Sequence, residues 1–354
     1  MVKKRRIKVL VVDDSAVFRA LLTDILESDP QLKVVAGAED PYEARELIKK
    51  LKPDVLTLDV EMPRMDGVQF LRNLMRLHPL PVVMLSTLTQ HKADVTLASL
   101  EIGAVDYLPK PTKNLQSELE SYREVLIEKV KMAAKANLTA HAEIMSGPSY
   151  SKIDISAQRF DASLVDVIAI GASTGGTEAL KVLLKNMPAK MPPIVITQHI
   201  KAVFSKSFAD RLNRESALHV EELTNKQSPL IPGRVYVAPG DKHIEVIKKG
   251  QRFYCRQNDG DPVLRHKPSV DVMFQSVVKA AGGRAVGILL TGMGRDGADG
   301  MKAMHTAGAV TLAQDELTSV VWGMPRVAIE MGAATHVMPL KKITPFLVEM
   351  FYHS

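Results

Sequence analysis

One cysteine, Cys255, stands in 354 residues. It excludes an internal disulfide and, with no second thiol, a cysteine metal cluster, so it reads as a structural residue in a reducing compartment. Aromatic residues make up only 5% of the chain, which leaves few platforms for stacking nucleic-acid bases. No zinc-finger spacing, RNA-motif aromatics or helix-turn-helix pattern accompanies the mild net charge of +6. That charge therefore reads as a solvated surface, and no nucleic-acid partner is expected. No apolar run approaches the roughly 20 residues needed to span a bilayer. The basic start at Lys3, Lys4, Arg5 and Arg6 precedes an apolar run, Ile7 to Val12, that is too short for a signal-peptide core. A cytoplasmic protein with no direct membrane insertion is expected.

What the chain does have is alternation. Its length favours two domains at roughly 100–200 residues each. Apolar runs at Ile7–Val12, Lys33–Ala36, Asp54–Asp59, Pro81–Ser86 and Asp106–Leu108 read as strands. Helical patterns follow from Ser15, over Pro41–Leu51 and over Val68–Leu77. Lys129–Leu164 breaks the rhythm: it begins helical, then turns polar and irregular through Ser146–Ser151, as an inter-domain linker does. A second series has strands at Val165–Ile170, Pro193–Thr197, Arg234–Ala238, Val286–Thr291 and Val310–Ala313. Gln251–Arg265 reads as a hairpin turning at Asn258-Asp259-Gly260. The expected fold is α/β, with two doubly wound, mainly parallel domains and an antiparallel hairpin inserted in the second. The expected boundaries are 1–128, a linker at 129–164, and 165–354.

In doubly wound sheets, ligand sites gather at the carboxyl ends of the strands. Asp13 and Asp14 end the first strand, and Asp59 ends the third. Their hard oxygens suit Mg²⁺, which can neutralise an incoming phosphate and let Asp59 act on it as a nucleophile. Ser86 and Lys110 add a hydroxyl and a cation after strands four and five. Each alone is an ordinary loop residue, but five such positions on one edge are not. The motifs VVDDS (11–15), LDVEMPRMDG (58–67) and PKP (109–111), with Ser86, resemble a response-regulator receiver domain over residues 7 to about 125. The resemblance implies a flavodoxin-like fold and phosphorylation at Asp59. It also implies Mg²⁺ on Asp13, Asp14, Asp59 and the Glu61 carbonyl, a phosphate contact from Lys110, and Ser86 and Tyr107 as the groups that reposition.

The second half opens with IGASTGG (170–176), a strand running into a Gly-rich turn. A dinucleotide fingerprint needs G-x-G-x-x-G and an acid after the next strand. Here Ser173 fills the position of the second glycine, and the next strand ends in Thr197-Gln198-His199 without an acid. No Lys follows the glycines, so a P-loop fails as well. Gly171 to Gly175 instead fits G-x-S-x-G, a turn that presents a serine and offers backbone N–H groups to an oxyanion. That motif is weak by itself, because a serine in such a turn is more often a helix cap.

A serine nucleophile needs a base, and the base an orienting carboxylate. His199 lies just beyond a strand on the edge that carries Ser173, with His243 and His266 as rivals that suit a substrate cleft. Asp296 follows another strand on that edge, within a glycine-dense turn, with Asp241 and Asp315 in reserve. The chain order Ser173, His199, Asp296 differs from the Ser, Asp, His of an α/β-hydrolase.

The motifs IGASTGGTE (170–178), ITQH (196–199), VAPGDKH (237–243), RHKPSVD (265–271) and LTGMGRDG (290–297) resemble the catalytic domain of chemotaxis receptor methylesterases, the CheB family. His199 is followed by Ile200 and Lys201 where that family more usually has Met and Pro, a departure that touches the loop's contacts rather than the base. The resemblance implies a Rossmann-like esterase domain with Ser173, His199 and Asp296 as triad, and Thr174 and Met293 near the oxyanion. It implies hydrolysis of glutamate γ-methyl esters on chemoreceptors, with glutamine deamidation besides, and no cofactor for that reaction. The phosphodonor would be the histidine kinase of the chemotaxis pathway, and the receiver would cover the cleft until Asp59 is phosphorylated.

Overall fold

β1 (Ile7–Val12), β2 (Leu32–Ala38), β3 (Val55–Asp59), β4 (Val82–Ser86) and β5 (Asp106–Pro109) alternate with α1 (Ala16–Glu27), α2 (Pro41–Leu51), α3 (Gly67–Leu77), α4 (Gln90–Ile102) and α5 (Leu115–Ala133). The structure is a computed structural model that describes residues 5–87, 90–111, 115–146 and 158–353. It divides into two compact units, Met1–Ala142 and Glu143–Ser354. In the first, the five strands form a parallel sheet in the order β2-β1-β3-β4-β5. Helices cover both faces of such a sheet, so its central strands are continuously apolar rather than alternating. Every residue of β3 and β4 is accordingly buried. Side-chain caps start the helices: Ser15 accepts from the Phe18 N–H, Asp40 from those of Tyr42 and Glu43, and Asp66 from that of Gln69.

Residues 129–146, where the expected linker begins, are largely helical. α5 runs on to Ala133, and α6 (Leu138–Ser146) follows. The irregular stretch expected through 147–151 lies outside the described residues.

The second unit contains β6 (Arg159–Phe160), β7 (Val167–Ala172), α7 (Gly176–Lys185), β8 (Ile194–Gln198), α8 (Ala202–Glu215), β9 (His219–Glu222), β10 (Gln227–Pro229) and β11 (Arg234–Val237). After these come β12 (His243–Lys249), β13 (Arg252–Asn258), α9 (Val270–Ala281), β14 (Ala285–Leu289), α10 (Ala298–Thr306), β15 (Val310–Gln314), α11 (Met324–Glu330), β16 (His336–Met338), α12 (Leu340–Phe351) and β17 (Tyr352–His353). Its main sheet is parallel, in the order β16-β15-β14-β7-β8-β11-β9. β7 is central, with β8 built out to one side and β14 to the other. The strand order therefore reverses beside β7, which opens a crevice at its carboxyl end. The edge strands β9 and β16 escape sequence patterning because they are four and three residues long and largely uncovered.

The antiparallel insertion is present, but it turns elsewhere than expected. β12 pairs with β13 from His243↔Asn258 to Lys249↔Arg252, so the turn is Gly250-Gln251. Gly250 has φ 60 and Gln251 is not left-handed, the pattern of a two-residue turn with glycine first. Asn258-Asp259-Gly260 is a turn at the other end of β13, where Asn258 Oδ1 accepts from Gly260 N–H at 2.7 Å. It ends the hairpin instead of closing it. Cys255 is buried in β13 and free. Among the described residues no helix is long and apolar enough to cross a membrane.

Candidate active site

Three strand ends of the second sheet deliver the three side chains. Ser173 follows β7, His199 follows β8 and Asp296 lies in the turn after β14. The register aligns these ends, pairing Ala172 with Gln198 and Gly171 with Leu289. His199 Nδ1 is 3.1 Å from Ser173 Oγ, and His199 Nε2 is 2.7 Å from Asp296 Oδ2. The imidazole thus bridges hydroxyl and carboxylate, with Nδ1 turned to the serine.

Backbone contacts fix the serine turn. The Ser173 N–H donates to Thr291 O at 3.1 Å, and Gln198 Nε2 donates to Ser173 O at 2.8 Å. Thr291 Oγ1 donates to Thr174 O at 3.0 Å and accepts from the Val321 N–H at 2.9 Å. Gly175, the residue before α7, has φ 75 and gives the helix no side-chain cap. A left-handed residue there lets the chain reverse straight from strand to helix and leaves the serine at the apex. Gly292 brings the next turn against it: a Cβ at Gly292 would lie 2.8 Å from Ser173 Cβ. Met293 is the following residue.

Asp296 is buried and accepts four hydrogen bonds. Oδ2 takes those of His199 Nε2 and the Val270 N–H, each at 2.7 Å. Oδ1 takes those of Ser269 Oγ at 2.8 Å and the Asp271 N–H at 3.0 Å. Burial opposes its charge, but the His199 interaction and the backbone donors outweigh burial and hold the carboxyl below its ordinary range. Two of these donors are N–H groups at the start of α9, where the helix dipole favours an anion.

Ser269, Val270 and Asp271 were not singled out from the sequence, although RHKPSVD contains all three. A serine followed by an apolar helical pattern is a cap signal, and Ser269 does cap α9 by accepting from the Val272 N–H. His243 is buried: its Nδ1 accepts from the Ser269 N–H at 3.0 Å, and its Nε2 donates to Asp261 O at 3.0 Å. It fixes Ser269 and does not contact Ser173. His266 lies against His199, ring on ring. Asp315 accepts from Thr318 in its own turn, and Asp241 is exposed after β11.

The first unit gathers a separate charged cluster. Asp13 and Asp59 are buried, and Lys110 Nζ lies 2.7 Å from an oxygen of each. Burial pushes the Asp59 carboxyl up to about 6; Lys110 opposes this and the Asp13 charge adds to it. Asp13, Asp14 and Asp59 each offer an oxygen, all within 4.8 Å of one another, a hard donor set that fits Mg²⁺. Glu61 is exposed in the loop after β3. Ser86, buried at the end of β4, accepts from Thr96 Oγ1 at 3.3 Å, and Tyr107 is buried in β5.

A serine, an imidazole and a carboxylate in hydrogen-bonded series at the carboxyl edge of a parallel sheet form the arrangement of a serine hydrolase. The chain matches the family described as CheB methylesterase over residues 168–347 and the response regulator receiver domain over 9–120. It is 57% identical to a Vibrio vulnificus protein named protein-glutamate methylesterase/protein-glutamine glutaminase 2, over 98% of this chain and 99% of that one. It is 50% identical to a Hydrogenovibrio crunogenus protein named protein-glutamate methylesterase/protein-glutamine glutaminase, over 96% and 97%. The crystal structure of the Thermotoga maritima CheB methylesterase catalytic domain is similar with a TM-score of 0.51 and 34% identity, covering 52% of this chain and 98% of that one. The chain belongs to the CheB methylesterase family.

Proposed function

We propose that this protein hydrolyses glutamate γ-methyl esters on chemoreceptors and deamidates receptor glutamines, under control of phosphorylation at Asp59. The observation that carries the reading is the His199 bridge between Ser173 Oγ and Asp296. Ser173 Oγ attacks the ester carbonyl as His199 takes its proton at Nδ1. The Nε2–H bond to Asp296 keeps the ring in the tautomer that leaves Nδ1 free to accept and stabilises the imidazolium that results. Backbone N–H groups of Thr174 and Met293, beside the serine, hold the oxyanion. His199 returns the proton to the departing methoxide, releasing methanol, and then activates water against the acyl-enzyme. With a glutamine side chain the leaving group is ammonia. No cofactor enters this reaction.

Residues 1–128 act as the receiver, 129–164 as the linker and 165–354 as the esterase. Asp13, Asp14, Asp59 and the Glu61 carbonyl would hold Mg²⁺, which supplies charge neutralisation for phosphoryl transfer. Lys110, already between Asp13 and Asp59, would turn to the phosphate, with Ser86 and Tyr107 repositioning behind it. The phosphoryl group would come from the histidine kinase of the chemotaxis pathway, and the enzyme would act in the cytoplasm. Phosphorylation at Asp59 would raise the activity of the esterase, a two-state control. Methylated receptor membranes test the chemistry: wild type should release methanol and His199→Gln should not. Undiminished release by the variant would contradict the reading.

A further inference from the structure

The rings of His199 and His266 lie face to face, with centroids 3.8 Å apart and planes within 9° of parallel. Both nitrogens of His199 are engaged, one with Ser173 and one with Asp296. Those two contacts define an axis through the ring but leave it free to tilt about that axis. A second ring parallel to the first removes the remaining freedom.

The support for His266 is itself costly to build. Val263 and His266 exchange backbone hydrogen bonds across a tight turn, N–H to O at 3.0 Å and 2.8 Å. The two residues between them, Leu264 with φ 49 and Arg265 with φ 68, are both left-handed without being glycine. Such turns favour Asn or Gly at these positions, and the left-handed conformation is disfavoured for other residues. Strain of this kind persists where the surroundings dictate the geometry. Three residues after His266, Ser269 reaches Asp296. One short segment therefore braces the base on its face and the acid on its far side.

Aromatic rings attract one another in parallel stacks, best when the rings are offset. A cationic ring over a neutral π-face is attracted to it. With His266 neutral, the stack gains strength at the step where His199 holds the proton, and interactions stronger in the transition state raise turnover rather than substrate binding.

We propose that His266 is a positioning residue: it holds the plane of His199 and supports its protonated form through face-to-face stacking. This deepens the hydrolase reading above and rests on it. The test is steady-state methanol release from methylated receptor membranes by the full chain, comparing wild type, His266→Ala, His266→Phe and Ser173→Ala, with thermal melting to check folding. A misplaced base costs up to about a hundredfold, so His266→Ala should lose about ten- to a hundredfold in kcat with KM within about twofold. His266→Phe, which keeps a flat π-face, should recover to within about threefold of wild type. Folded variants in which Ala is as active as wild type, or Phe as poor as Ala, or only KM changes, would overturn the role of His266. Should Ser173→Ala still release methanol, the hydrolase reading itself fails. An inert Ser173→Ala beside a fully active His266→Ala removes the inference alone.

Discussion

Ser269 Oγ donates a 2.8 Å hydrogen bond to Asp296 Oδ1 while accepting from the Val272 N–H at the head of α9. One hydroxyl thus caps a helix and seats the carboxylate that orients His199. Ser269→Ala leaves Asp296 Oδ1 with the Asp271 N–H alone. A hydrogen bond to a charged group contributes about 1.5–3 kcal/mol, so methanol release should fall about tenfold or more. Loss of the cap should lower stability by about 1 kcal/mol, read from the melting temperature.

Asp296→Asn tests the carboxylate itself. The amide keeps the shape of the side chain but cannot accept at both positions, so His199 takes the wrong tautomer. Turnover should drop by about 10⁴, the effect this change has in serine hydrolases of known mechanism. Methanol release at saturating substrate measures it.

The residue that leads the serine turn into α7 admits no side chain. At Gly175, φ is 75 and an added Cβ would sit 2.7 Å from Val320 Cβ. Gly175→Ala should cost about 1–2 kcal/mol in backbone strain and a similar amount in overpacking. A lower melting temperature together with reduced turnover is expected, since the same turn carries Ser173.

Asp271 sets a pH dependence. Burial raises its carboxyl to about 6; hydrogen bonds from Gly300 and Gly297 oppose that, and the charges of Asp296 and Asp299 add to it. The folded state therefore binds this proton more readily than the unfolded chain, whose carboxyl titrates near an ordinary value of about 4. The contribution of Asp271 to stability falls as pH rises from about 4 to about 6, then levels off. Asp271→Asn keeps an acceptor for the Gly300 N–H and removes the titration. Its stability relative to wild type should rise across that window, as measured by urea unfolding at pH 4.5 and pH 7.

Asp59→Asn removes the proposed phosphoryl acceptor. Incubated with acetyl phosphate and Mg²⁺, wild type should gain one phosphoryl group, and the variant none, by intact-mass measurement.

Both sheets were legible in the sequence because their inner strands carry apolar runs such as Val9–Val12 and Val167–Ala172. The edge strands were not, since β9 and β16 are short and bury little. The hairpin was legible, but its turn was misplaced. Asn-Asp-Gly is the stronger turn signal, yet Gly250-Gln251 sits where the cross-strand pairs of β12 and β13 converge. Ser173, His199 and Asp296 each follow a strand on one edge, but so do Asp241 and Asp315, and the choice among them rested on the motifs that resemble the methylesterase family. The residues that hold Asp296 were not singled out: Ser269 carries a cap signal, but nothing in the pattern ties its hydroxyl or the Val270 and Asp271 N–H groups to Asp296. The stacking of His266 on His199 depends on a strained turn in a loop, which no periodicity reports.

The most direct test of the central claim is methanol release from methylated chemoreceptor membranes by wild type and Ser173→Ala, each with and without acetyl phosphate and Mg²⁺. Wild type should release methanol, more with the phosphodonor, and the variant none above background under either condition. Methanol release by Ser173→Ala at a rate near that of wild type would contradict it.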